Sequence, residues 1–341
     1  MTLRTRSSAW LLGLLAVAAA GALPAHAHHS RAAFDTSGEV TIDGVIANVL
    51  WANPHTYITL DVMGPDGRPA KQEVEVGPLS TMGPLGLTRS SLKAGDPVTV
   101  RAYPSRRGPG STVMGLAVTK SNGETYPLHV MRGQARPQTT ARQAESIAGQ
   151  WVPLTPGFLS LIQESRTWPL TEQGRAAVND TASQLRSQAT CEPWPAPLLM
   201  ALPMLRTIDV QPTTVTLRFD WMESERIVHL DQSEHPANLE PTRQGHSIGR
   251  WEGGALVIDT IGFTPHREGA GFALPSSPDK RLRERLSLNP DRTHLVYEFT
   301  VDDPLSLTEP VTRTLTWAYR PDVEPTGLPC DAEIATRFLH E

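Results

Sequence analysis

Cysteine is nearly missing from this chain: Cys191 and Cys330 are the only two in 341 residues. There is no Cys-x-x-C pair, which removes the usual support for a thiolate zinc site. Aromatic residues make up only 6%. No apolar run beyond the N-terminal region is long enough to span a bilayer, so membrane insertion is not expected. Basic blocks are missing too, and the formal charge is −5 at pH 7. A mildly acidic chain of this kind is not expected to partner nucleic acid or an anionic membrane. Proline (30 residues) and glycine (26) are plentiful, so loops should be well represented.

Arg4 and Arg6 precede an apolar stretch at residues 10–23, and Pro24-Ala25-His26-Ala27 ends as small-x-small. This has the form of a secretory signal peptide over residues 1–27, too short and wrongly flanked for a membrane anchor; a retained helix is the alternative. No cysteine stands at the cleavage site to carry lipid. A periplasmic or secreted protein is therefore expected. Cleavage would remove two of the 31 basic residues and none of the 36 acids, leaving a more acidic chain. In an oxidising compartment the even cysteine count suggests one Cys191–Cys330 disulfide. It would be worth at most about 4–5 kcal/mol by loop-closure entropy. Two free thiols, or thiolate ligands, are the alternatives.

The length fits two domains. In residues 28–133, strand-like runs fall at 40–51, 57–62, 72–76, 98–100, 114–119 and 125–130. Gly64-Pro65-Asp66-Gly67 and Ser121-Asn122-Gly123-Glu124 are turns, the latter a strong hairpin signal. A short helix is expected near residues 80–87. Five or six short strands with one helix suggest a small OB-like barrel. Two features here bear on chemistry. If cleavage follows Ala27, His28 becomes the free N-terminus beside His29, and an α-amine with an imidazole suits copper; a disordered tail is the alternative. In Trp51-Ala52-Asn53-Pro54-His55, Trp51 and His55 would line a groove, or Trp51 caps the barrel and His55 is a satisfied loop residue.

Residues 134–147 read as a linker, and 148–341 as a second, larger domain opening on Gly149-Gln150-Trp151. A helix is expected over 171–187, and the Pro-rich stretch 193–203 is expected to run along the surface. Beyond it, Val215, Leu217, Phe219 and Trp221 alternate with polar residues. Runs at 226–230, 256–261, 282–288, 295–301 and 315–319 behave alike. Period-two alternation means that each strand buries one face. Sequential strands without crossover helices favour an antiparallel meander closed into a barrel. The Gly-x-Trp opening resembles the calycin (lipocalin-like) barrels, a likeness of architecture only; barrels of this size hold one small ligand.

Histidines and acids gather between residues 226 and 263. His229, His235 and His246 have the residue types of a three-histidine site, with zinc as the default ion, yet no pair sits on one element at ligand spacing. Gly245-His246-Ser247-Ile248-Gly249 matches the Gly-x-Ser-x-Gly string of serine hydrolases. That string works only at a strand-to-helix turn, so a short glycine-bounded loop is the better reading. Glu284 is in phase with Leu282, Leu286 and Leu288 and should point inward. There it is either a general acid or base with a raised pKa or a structural ion pair with Arg226 or Arg250. His229 and Asp231 share a strand face and are its candidate catalytic partners if they point inward. His235, His246, Trp251, Glu252 and Asp259 are candidate ligand-binding residues.

His28-His29-Ser30, the Trp51-x-Asn53-Pro54-His55 box and Leu92-x-x-Gly95-Asp96-x-Val98 resemble an uncharacterised family of exported bacterial proteins. Arg226-Ile227, Asp231, His235-Pro236, the string from Gly245 to Gly253, and Glu284-Arg285 are similar to a partner region often joined to it. The chain departs from that pattern at Gln232-Ser233 and Gly254. The family is a domain of unknown function, so the resemblance implies no activity. The expectation is a mostly β, two-barrel exported protein whose second barrel binds a small, partly apolar molecule. An enzyme using the same cavity (lyase, isomerase or hydrolase) and copper or zinc binding are the alternatives.

Overall fold

The computed structural model describes residues 33–129, 142–180 and 191–340. The expected signal peptide, and His28 and His29 with it, lie outside the described residues.

The first barrel is built from β1 (Val40–Leu50), β2 (Thr56–Met63), β3 (Pro69–Val76), β4 (Pro97–Tyr103), β5 (Val113–Lys120) and β6 (Thr125–Pro127). They lie in the order β3-β2-β1-β4-β5-β6, and a parallel β3–β5 pairing at Val74↔Val113 and Glu75↔Met114 closes a ring of five. A helical segment, Leu79–Met82 followed by a 3-10 turn at Gly83–Leu85, bridges β3 to β4. This is the expected OB-like arrangement. Its interior is apolar: Ile46, Ile58, Leu60, Val74, Val76, Val98 and Val100 form the core, with Trp51 packed on its edge.

The second barrel has nine strands. They are β7 (Gly149–Pro153), β8 (Arg206–Val210), β9 (Thr214–Phe219), β10 (Glu225–His229), β11 (His246–Glu252), β12 (Ala255–Ile261), β15 (Arg281–Leu288), β16 (His294–Asp302) and β17 (Val311–Tyr319). A hairpin of β13 (His266–Gly271) and β14 (Leu274–Ser276) stands outside the ring. An up-and-down ring with an odd strand count must contain one parallel pair. Here it is β10–β11, joined by the crossover at residues 230–245, and β17–β7 closes the ring. The meander is thus antiparallel everywhere but at this seam.

Three sequence expectations give way here. Residues 246–252 form a strand, not a glycine-bounded loop. Gly249 serves close packing at the seam, since a Cβ there would lie 2.6 Å from Val228 Cγ1. Residues 194–202 are buried in the second core rather than laid on the surface, because Trp194, Leu198, Leu199 and Met200 carry too much apolar area to leave in water. The described part of the expected 171–187 helix ends at Asn179. Inside the expected linker, Ala144 and Ile147 are buried in the second core, and Trp151 Nε1 donates to the Ile147 carbonyl at 2.8 Å.

The cysteines form a Cys191–Cys330 disulfide. The tail that carries Cys330 returns to the first barrel. Asn53, fully buried, pairs with Cys330 through its backbone, and its side-chain amide donates to the Leu328 carbonyl at 2.8 Å. Ile334 packs on Ala52 and Tyr57, and Arg337 reaches Glu73 at 3.2 Å. No described helix is long and apolar enough to cross a membrane.

Candidate functional site

The second barrel's interior resolves the question of Glu284. It points inward, as its phase requires, and is fully buried with Arg226. Arg226 Nη1 donates to Glu284 Oε1 at 2.7 Å, and Nη2 donates to the second oxygen. The Tyr297 hydroxyl donates to Oε1 at 2.7 Å. Arg226 also donates to Ser247 Oγ (3.2 Å from Nε) and to Thr260 Oγ1 (2.7 Å). Burial would by itself lower the pKa of Arg226, but the Glu284 carboxylate beside it holds the guanidinium above its usual range. Burial, reinforced by the same carboxylate, pushes the Tyr297 hydroxyl well up. Phe299 and Trp317 pack on the Tyr297 ring at 5.6 and 5.2 Å between centroids, and all three are fully buried. Ser247 is spent as a hydrogen-bond partner inside this network. The arrangement is that of a satisfied buried ion pair.

His229 and Asp231 do not meet Glu284. Arg226 and Val228 are the inward residues of β10, so His229 lies on the outer wall, and Asp231 is exposed at the start of the crossover. The outer wall does gather His229, His235, His246 and Asp259. His229 and His246 stack at 5.0 Å between ring centroids and 14° between planes. His235 Nδ1 and His246 Nδ1 are 2.9 Å apart, and His235 Nε2 is 3.4 Å from Asp259 Oδ2. A carboxylate only accepts, so His235 carries its proton on Nε2 and its Nδ1 accepts from His246. Burial, then His229 and His235, lower the pKa of His246. Beside this cluster is a cavity of 330 Å³ lined by Leu230, Asp231, Ile248 and Arg250, among others.

Trp251 and Glu252 stand apart at the far end of β11, roughly 17 and 20 Å from His246 at strand rise. Trp251 is 45% exposed. Glu252 pairs with Arg250 at 2.7 Å and Arg285 at 3.7 Å.

The first barrel holds a constellation that the sequence does not reveal. Val74 and Val76 point into the core of β3, so Glu75 lies on the opposite face; it is nevertheless only 3% exposed. His55, at the entry to β2, places Nδ1 3.2 Å from Glu75 Oε1, and His129, just beyond β6, places Nε2 3.9 Å from it. The donor atoms of all three residues lie within 4.8 Å of one another. His129 Nδ1 donates to the Gly115 carbonyl at 2.8 Å, which fixes the tautomer and turns the Nε2 lone pair toward Glu75. Sequence reasoning singled out His55 alone. Glu75 and His129 are 20 and 74 positions away; Glu75 joins His55 across the β2–β3 pairing, where it lies opposite Tyr57, and His129 joins them through the β3–β5 closure and the β5–β6 hairpin.

The fold and these clusters define a two-barrel β protein with a candidate metal centre on its smaller barrel. Residues 16–115, covering most of that barrel, match a family described as a family of unknown function, DUF6152. No curated protein matches the chain.

Proposed function

We propose that the first barrel binds a transition-metal ion through His55, Glu75 and His129. The observation that carries this reading is the convergence of two imidazoles and a buried carboxylate within 4.8 Å. Two neutral nitrogens and one carboxylate oxygen suit zinc, whose ligand bonds of about 2.0–2.2 Å put neighbouring donors roughly 3–3.5 Å apart. The His129–Gly115 bond is the outer-sphere support that metal-ligating histidines usually have. Three protein donors leave a fourth position for water or a substrate, the pattern of catalytic rather than structural zinc. The side chain of His55, 20% exposed, marks the open side.

Export belongs to the same reading. A disulfide accords with an oxidising compartment, and the N-terminal pattern accords with a periplasmic or secreted protein. The His28-His29 pair remains a second source of copper donors; a His28→Ala/His29→Ala variant with unchanged copper uptake would remove it.

Zinc titration of the tag-free chain by calorimetry tests the metal reading. One site is expected in the parent, lost in His129→Ala with circular dichroism unchanged. Equal binding by parent and variant would overturn it.

A further inference from the structure

We infer that the outer wall of the second barrel carries a second metal site, in which the Nδ1 atoms of His235 and His246 chelate one divalent copper or nickel ion. This site stands independently of the one on the first barrel.

Three observations converge on it. The two Nδ1 atoms lie 2.9 Å apart. Two nitrogens each about 2.0–2.1 Å from a metal are roughly 2.9 Å apart at a right angle and about 3.3 Å apart at a tetrahedral one. The spacing therefore fits the cis positions of a tetragonal centre, the geometry of Cu(II) and Ni(II). Asp259 sits behind His235 Nε2 at 3.4 Å, the carboxylate–histidine arrangement that holds the proton on Nε2 and the lone pair on Nδ1. His229 stacks on His246 at 14° between ring planes. A ring so nearly parallel cannot aim at the same ion, so the three histidines make a two-donor site with one packing partner.

Without metal, the two nitrogens share the His246 proton. On binding, each imidazole swings its lone pair off the line between them. The His246 proton is exchanged through solvent from Nδ1 to Nε2, so both rings stay neutral and no net proton is released. His235 has the freedom to do this because the crossover around it is largely exposed. The remaining coordination positions belong to solvent or to a small donor ligand.

The test uses the tag-free, full chain and Cu(II) alone. Sub-stoichiometric Cu(II) is added while the histidine Cε1–H resonances are followed by NMR, which needs no variant to fold. Broadening of His229, His235 and His246 is expected, with two nitrogens in the copper EPR hyperfine pattern. Asp259→Asn should keep the fold and weaken this copper about ten- to hundredfold. His246→Ala should remove one copper per chain and leave the His55–His129 site filled. Broadening confined to His55 and His129, or copper affinity untouched by both variants, would overturn the second site while leaving the first.

Discussion

Glu75 of the first barrel and Glu284 of the second are both buried, and the two are handled in opposite ways. Glu284 lies inside the second barrel, where Arg226 and Tyr297 meet its oxygens and supply the opposite charge and donors that the interior demands. Glu75 lies on the outer face of the first barrel, and among the described residues two imidazoles approach it. A carboxylate met by a guanidinium is held as structure. A carboxylate met by imidazole nitrogens, one ring oriented by a backbone carbonyl, is the arrangement on which the proposed metal site rests. The contrast shows why burial alone is a poor guide to function: the chemistry of the partners decides.

Breaking the interior pair should have the largest effect. Glu284→Ala leaves the Arg226 charge buried and uncompensated, and denaturant unfolding should show a loss of about 3–5 kcal/mol. Zinc uptake by the folded fraction should not change. The disulfide should come next. It closes a loop of 139 residues and ties the tail that pairs with Asn53 to the second barrel. Cys191→Ser/Cys330→Ser should cost about 2–4 kcal/mol, read in the same unfolding experiment, and should loosen the segment that carries His55. Glu75→Gln sharpens the contrast from the other side. Its stability without metal should fall less than that of Glu284→Ala, while zinc affinity measured by competition with a chromophoric chelator drops at least about a hundredfold, roughly 2.7 kcal/mol.

The smallest effect concerns pH. His266 Nδ1 accepts from the Glu268 backbone N–H at 2.9 Å, which requires an unprotonated nitrogen. Burial, then Arg243 and Lys280, bring its pKa down to about 4. The unfolded chain, with an ordinary imidazole near 6.5, binds the proton first. The stability contributed is therefore complete above about pH 6.5 and is lost progressively as pH falls toward 4. Unfolding free energies at pH 7 and pH 5 should differ in that direction, and His266→Asn should flatten part of the slope.

Much of the architecture was legible in the chain. Alternation in β9, β12, β15, β16 and β17 gave their faces, including the inward Glu284, and the Asn122-Gly123 turn marked the β5–β6 hairpin. What escaped had physical reasons. β11 turns Ser247 and Gly249 inward, so it shows no apolar alternation, and its pairing partners make it a strand. Residues 194–202 are apolar throughout, and their prolines suggested a surface path although a buried segment tolerates proline wherever no donor is needed. The outer-wall histidines were visible as residue types, but their facing nitrogens depend on the crossover folding back. The β2–β3 hairpin sets Glu75 beside His55, but His129 was invisible as their neighbour because ring closure, rather than spacing, brings it there.

The most direct measurement is anomalous scattering at the zinc edge from crystals of the zinc-loaded chain. The account requires a peak about 2.0–2.2 Å from the donor atoms of His55, Glu75 and His129. Fully loaded crystals with no peak there, and with Glu75 unchanged between His55 and His129, would contradict it.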